Sequence, residues 1–290
     1  MIGDVVRAAS LAEVIALIDR TETNPRILAG GTDLLLPHVS DPSETVTLID
    51  ITGVEQLAEI RSDEDGVSIG AAVKLSDIVR STVLVDRLPI LVWAAAEVAG
   101  PQIRNLATIG GNVCNASPSA DTVPPLLVLD AQAEYVSGDK AHSVPLSDFF
   151  IGPGETILGS DGLLTALRIA WPSSSATGVY LKHSPRQAMD LAIVGVAVML
   201  DPGANGLTAR IALGAVGPTP LRATAAEASL RGLDHLTDES IHEAARLAEE
   251  AAAPIDDVRG SARYRRDMVR RLVGRALRVA TNRLTGDEER

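Results

Sequence analysis

Thr108-Ile-Gly-Gly-Asn-Val-Cys-Asn-Ala-Ser-Pro-Ser-Ala-Asp121 is small and polar around a glycine pair, a composition that ordinary core does not have. A second pair stands about 80 residues upstream, in Ala29-Gly-Gly-Thr-Asp33. Consecutive glycines let neighbouring backbone N–H groups point into one concavity, and Thr or Asn side chains add further donors, which makes a pyrophosphate cradle. Each loop alone reads equally as a tight turn between packed elements. Two loops of the same make favour one anionic ligand shared between two subdomains.

Around these loops the pattern is mixed. Ser10 and Glu13 form a capping box ahead of Leu11, Val14, Ile15 and Ile18, one apolar helical stripe. Arg26 to Ala29 reads as a short buried strand, Thr32 to Leu36 as a helical turn stopped by Pro37, and Thr45 to Ile49 as a second strand. Residues 1–56 are therefore expected to be a small α/β subdomain. A strand from Val67 to Val73, a helix beginning near Ser76, an apolar helix from about Asp86 to Val98 and strands at Ala133 to Val136 and Leu163 to Ile169 make a second subdomain, 57–174. Pro172-Ser-Ser-Ser-Ala-Thr-Gly178 has the composition of a linker. Beyond it, three strand-like runs (Gly178 to His183, Leu191 to Leu200, Thr208 to Val216) precede three helical runs at about 223–231, 238–252 and 261–280. Strands followed by helices mean α+β for 175–290. Tyr264, Met268, Leu272, Ala276 and Ala280 are expected to form the inner face of the last helix.

The 290 residues carry 26 basic and 38 acidic side chains, a net charge of −12, which argues against a nucleic-acid partner for the chain as a whole. Nine arginines against one acidic residue between Arg259 and Arg283 give a local +8, read as a solvated face or a partner-docking face. No run is long enough for a transmembrane segment and no secretory pattern opens the chain, so a cytoplasmic protein is expected. Cys114 is the single cysteine, which excludes an internal disulfide and any Cys-ligated iron–sulfur cluster within this chain. The five histidines have no metal-ligand spacing, and G-x-G-x-x-G and Walker motifs are absent.

Together with Ala116-Ser-Pro-Ser-Ala-Asp121, Tyr180-Leu-Lys-His-Ser-Pro-Arg-Gln-Ala-Met-Asp-Leu-Ala192 and the closing Ser261-Ala-Arg-Tyr-Arg-Arg-Asp-Met-Val269, the two glycine segments resemble the FAD-binding medium subunit of molybdenum hydroxylases, the group of carbon monoxide dehydrogenase medium subunits and xanthine dehydrogenase flavin domains. The resemblance implies a two-part FAD-binding domain of the vanillyl-alcohol-oxidase type and a C-terminal domain with a three-stranded antiparallel sheet and helices. It implies that the backbone of Ala29, Gly30, Gly31, Thr32 and Asp33, and of Gly110, Gly111 and Asn112 after Ile109, meets the FAD diphosphate, with Thr108 donating a hydroxyl. Asp121 would accept from cofactor hydroxyls and Lys182 would approach the polar edge of the isoalloxazine, while Leu34, Cys114 and Leu164 would lie beside the ring. Read without the resemblance, Asp121 is a helix N-cap, Lys182 a solvated strand residue and Cys114 a buried small hydrophobe. Val98 stands where some relatives carry an aromatic on adenine.

The activity so implied is that of an oxidoreductase subunit with no catalytic or metal-binding residue of its own. Electrons would come from [2Fe–2S] clusters of a small subunit, beside a large molybdopterin subunit, in a dimer of heterotrimers. The alternative is a self-sufficient FAD-dependent oxidase or reductase, which needs an acid–base cluster that the motifs do not supply. An interaction module or an RNA-binding helix is opposed by the intact glycine loops and the scarcity of aromatics.

Overall fold

The computed structural model describes residues 2–20, 25–36, 46–186 and 188–286. They divide into two compact units, Met1–Arg80 with Ala99–Ala116 and Ala131–Ala170, and Ser81–Val98 with Ser117–Asp130 and Trp171–Arg290.

In the first unit, strands Ile2–Arg7, Val46–Asp50 and Pro25–Leu28 form a parallel sheet with Val46–Asp50 in the middle. Ser10 starts helix Leu11–Arg20 by accepting the Glu13 N–H at 3.2 Å, and the Glu13 carboxylate accepts the Ala9 N–H at 2.8 Å. Val14 and Ile18 then bury against Ile49, Ile51, Val54 and Leu57. Strand Ile2–Arg7 has no counterpart in the sequence reading because it is mostly exposed and lacks an apolar alternation. Thr32 to Leu36 is a single turn, with the Leu35 N–H on the Gly31 carbonyl at 3.1 Å; Pro37 and Thr45 lie outside the described residues.

The rest of this unit is an antiparallel five-stranded sheet in the order Ile60–Ser62, Gly66–Gly70, Gly162–Ala170, Gln132–Ser137, Lys140–Pro145. Helix Leu75–Arg80 and the short helix Ile109–Cys114 follow chain crossings next to it. Edge strand Lys140–Pro145 is largely exposed, which is why its sequence carries no core signal.

In the second unit, strands Thr177–His183, Val194–Gly203, Gly206–Gly214 and Leu221–Arg222 form an antiparallel sheet. The expected three strands thus gain a fourth of two residues, too short to leave a periodic signal. Val194, Val196, Val198 and Leu200 pack with Ile241, Ala245, Val273 and Leu277 of helices Asp238–Ala251 and Ala262–Thr285. On the opposite face Gly178 meets Ile90, and Gly214 meets Pro124, from helices Pro89–Glu97 and Val123–Val128. Covered on both faces, Val194–Gly203 opens with seven consecutive buried residues rather than an alternation.

The apolar helix expected from Asp86 to Val98 is two helices, Thr82–Arg87 and Pro89–Glu97. Proline disfavours a helical conformation in the residue before it, and Leu88 takes φ −133° with Pro89 opening the next helix. In the last helix Ser261 caps the Tyr264 N–H and Gly286 closes it at φ +75°. Leu272, Ala276 and Ala280 face the core as expected, but Tyr264 is exposed. A strict spacing of four turns about 40° further round the helix at each step, so the stripe leaves the core within a few turns.

Candidate functional site

The first glycine loop follows strand Pro25–Leu28. A Cβ on Gly30 would overlap the Leu106 carbonyl oxygen and come within 2.9 Å of the Ala107 Cα, so the absent side chain lets this loop lie against the residues just before Thr108. Gly31 takes φ +66°, and its two neighbours Thr32 and Asp33 begin the turn. Among the described residues, the backbone N–H groups of Gly30, Gly31, Thr32 and Asp33 donate to no protein acceptor. A run of unspent amides passing through a left-handed glycine is an anion-binding concavity.

The second loop is built differently from the expectation. The Ile109 N–H donates to the Val73 carbonyl and that of Gly110 to Ala71, each at 2.9 Å. The Gly111 N–H goes to Thr108 Oγ1 and that of Asn112 to the Thr108 carbonyl, each at 3.0 Å. Gly110 is close-packed, since a Cβ there would lie 2.5 Å from the Ala71 oxygen and 2.6 Å from its Cβ. Gly111 is exposed, and a Cβ there would meet Thr108 Oγ1 at 3.0 Å and nothing else within 4 Å. The amides of this loop therefore secure it to the neighbouring crossing and cap its own helix. What it leaves toward a ligand is the open space over Gly111 and the hydroxyl proton of the buried Thr108. Several residues of the quoted stretch, Ile109, Val113, Ala116 and Ala120, are buried in spite of its polar look.

Cys114, on the same helix, is partly buried, and burial pushes its thiol up to about 12. It stays a neutral apolar group at working pH. Leu34 is half-buried in its turn. Leu164 is buried in strand Gly162–Ala170, opposite Tyr135.

The second unit contains a compact polar cluster. Lys182 Nζ donates to Asp121 Oδ2 at 2.8 Å and to the Glu97 carbonyl at 3.1 Å, and the Tyr180 hydroxyl donates to Asp121 Oδ1 at 2.7 Å. The Lys182 and Asp121 side chains are only 6% and 8% exposed, so neither is a solvated surface group. Asp121 is not the N-cap of Val123–Val128; that position is Thr122, which makes no side-chain cap bond. Tyr180 and Lys182, two apart on one strand, project to the same face, and Gly195, the partner of Lys182 in the register, leaves room for the phenol, since a Cβ there would stand 3.2 Å from its oxygen. Desolvation raises the Asp121 carboxyl above its ordinary value, opposed by the Lys182 charge and the two hydrogen bonds. Desolvation and the facing Asp121 raise Tyr180 well above 10, so it remains a donor. The sequence reading names Lys182 and Asp121 but not Tyr180, although the i, i+2 spacing on a strand carries that signal. Val98 closes helix Pro89–Glu97 directly after the carbonyl that Lys182 uses.

Residues 2–172 match the family model of the FAD binding domain in molybdopterin dehydrogenase, and residues 179–280 that of the CO dehydrogenase flavoprotein C-terminal domain. The chain belongs to the FAD-binding subunits of the molybdenum hydroxylases. Among family members it is 34% identical to a putative xanthine dehydrogenase FAD-binding subunit of Escherichia coli (strain K12), across 96% of this chain and 97% of that one. It is 32% identical to the carbon monoxide dehydrogenase medium chain of Hydrogenophaga pseudoflava, across 93% and 94%. The structure of reconstituted CO dehydrogenase from Oligotropha carboxidovorans superposes with a TM-score of 0.91 at 32% identity, over 98% of this chain and 99% of that one. FAD is thus the cofactor of this subunit, and the residues present fit it: four unspent amides and the cleared space over Gly111 suit a diphosphate. Among the described residues no helix is long and apolar enough to cross a membrane.

Proposed function

We propose that this chain is an electron relay within a molybdenum hydroxylase, taking electrons from the [2Fe–2S] clusters of a small subunit and passing them to an external acceptor. The observation that carries the reading is the run of unspent amides from Gly30 to Asp33 in a chain with one cysteine. An anionic cofactor has a cradle here, whereas Cys-ligated clusters must be held by another chain. Bound FAD supplies a centre that takes electrons singly or in pairs.

The residues of this chain hold that centre. The amides of Gly30, Gly31, Thr32 and Asp33 face the diphosphate charge, the Thr108 hydroxyl adds a donor, and Gly111 keeps the approach clear. Gly110, Ile109 and Asn112 support the loop. By the family pattern Asp121 and Lys182 serve the cofactor hydroxyls and the polar flavin edge, with Leu34, Cys114 and Leu164 as apolar neighbours. Lys182 offers one N–H beyond the two that its protein partners take. A large molybdopterin subunit, assembly as a dimer of heterotrimers and a cytoplasmic location complete the proposal.

Anaerobic mixing tests it. The flavin of the isolated chain should stay oxidised with heterocycles, aldehydes or carbon monoxide and bleach once the molybdenum and iron–sulfur subunits of its own complex are added. Rapid bleaching by such a substrate with this chain alone would replace the relay by a self-sufficient enzyme.

A further inference from the structure

Tyr180 is the third member of the cluster around Asp121, and it has no part yet in holding the cofactor. Its side chain is buried, and its hydroxyl donates to Asp121 Oδ1 at 2.7 Å while Lys182 Nζ holds Oδ2 at 2.8 Å. Among the described residues these two side chains are the carboxylate's only hydrogen-bond donors, and no backbone N–H reaches it. A buried carboxylate so placed depends on each donor, because water cannot replace one that is lost.

The strand is shaped to admit the hydroxyl. A phenylalanine would supply the same ring without the cost of burying a polar atom, so the oxygen finds its use in the bond to Asp121. Gly195, opposite Lys182, keeps the space for it: a Cβ there would stand 3.2 Å from the phenol oxygen. Lys182 is held on another side by the Glu97 carbonyl at 3.1 Å, an acceptor that carries no titratable charge.

The charges facing Asp121 are few. Desolvation pushes its carboxyl up, Lys182 and the Tyr180 hydroxyl push it down, and the exposed Glu97 adds a like charge. Helix Val123–Val128 and the stretch Val194 to Leu200 of the neighbouring strand contribute no titratable side chain. Lys182 and Tyr180 are thus the two groups that favour the carboxylate over the neutral acid.

We propose that Tyr180 is a positioning residue for the flavin: by donating to Asp121 Oδ1 it keeps the carboxylate as the charged partner of Lys182, so that the pair serving the cofactor stays neutral overall. The inference rests on the reading that Asp121 and Lys182 serve FAD, and adds the group that governs their charge.

Four full-length proteins loaded with FAD test it: wild type, Tyr180→Phe, Asp121→Asn and the double variant. Midpoint potentials are measured by dye-mediated spectroelectrochemistry from pH 5 to pH 9. The Asp121→Asn background carries the flavin's own pH dependence, so the difference between each protein and its Asp121→Asn counterpart isolates the carboxyl. That difference should be a lower potential at high pH, where Asp121 is ionised, and should vanish as the carboxyl takes up its proton. Loss of a hydrogen bond to the charged form raises a carboxyl pKa, so in Tyr180→Phe the difference should vanish at a pH higher by about one unit or more. Infrared difference spectra of the FAD-free proteins, following the carboxyl carbonyl band that Asp121→Asn removes, should show the same displacement. Equal midpoints of that band in wild type and Tyr180→Phe overturn the role of Tyr180 and leave the assignment of Asp121 and Lys182 intact. A displaced band without any Asp121-dependent difference in potential removes the pair from the flavin and takes the inference with it. A potential altered by the same amount at every pH in Tyr180→Phe means a merely structural role and also overturns it.

Discussion

Three glycines of similar appearance have different jobs at the scale of single residues. Gly110→Ala forces a Cβ into the Ala71 backbone, an overpacking that costs about 1–3 kcal/mol and should lower the melting temperature. Gly111→Ala presses only on Thr108 Oγ1 from otherwise open space, so the fold should persist while FAD affinity falls at least tenfold in a fluorescence titration. Equal FAD binding by Gly111→Ala and wild type would remove this glycine from the cofactor site. The buried pair of Asp121 and Lys182 yields a prediction with a definite sign. Lys182→Met leaves a desolvated carboxyl whose folded-state pKa, already raised, rises further. A raised folded-state value gives stability that is full below the unfolded value near 4 and is lost as pH rises through the folded one. Urea unfolding should therefore find Lys182→Met near wild type at pH 5 and weaker by about 3 kcal/mol at pH 8. A deficit independent of pH would mean that the carboxyl stays ionised or reaches water.

Elements show where the sequence was legible. The helices Asp238–Ala251 and Ala262–Thr285 announce themselves by cap residues and periodicity, and Val194–Gly203 by a continuous apolar run. The break at Leu88 was readable from Pro89, which outweighs the apolar character of its neighbours. Strands Ile2–Arg7 and Lys140–Pro145 were not readable, because their pairing depends on partners distant in sequence and their side chains face outward. The arginine-rich helix shows the same limit, since composition cannot tell a docking face from internal wiring. Arg265 is buried and donates to the Ala215 carbonyl at 3.0 Å and to Asp257 Oδ1 at 2.5 Å, Arg278 pairs with Asp238, and Arg283 stacks on Trp93. Much of the local positive charge is thus spent within the unit. Desolvation raises the Asp257 carboxyl, but Arg265, the Arg259 amide and the Arg259 guanidinium outweigh it and hold the group well below the usual range. A lowered value gives stability that is present above the unfolded value near 4 and lost as pH falls toward the folded one. Asp257→Asn should cost about 3 kcal/mol at pH 7, because it leaves Arg265 buried without its counter-charge, and the gap to wild type should close below about pH 4. Acid-unfolding curves that stay parallel below that pH would sink this account.

For the whole molecule, the cofactor and the fold are linked through the first glycine loop. The motifs at Ala29 to Asp33 and Thr108 to Asp121 were legible as a pair, but only the structure separates their roles: amides left unspent in the first, amides committed to the fold in the second. A folded chain holding unspent amides gains partners for them from a diphosphate, whereas an unfolded chain has water for the same groups, so FAD binds the folded form preferentially. Linkage then gives about 2.7 kcal/mol of stabilisation at free FAD a hundred times its Kd, and more at each further decade. Removing FAD should lower the melting temperature, and titrating it back should raise the temperature steadily with the logarithm of concentration. FMN should do much less at the same concentration, since it brings one phosphate to a run of four amides. Gly111→Ala should blunt the FAD response while starting from an apo-protein temperature close to wild type, because the residue faces open space rather than core. Scanning fluorimetry across FAD and FMN series checks both parts. A melting temperature indifferent to FAD, or equal responses to the two flavins, would show that the diphosphate does not use this cradle.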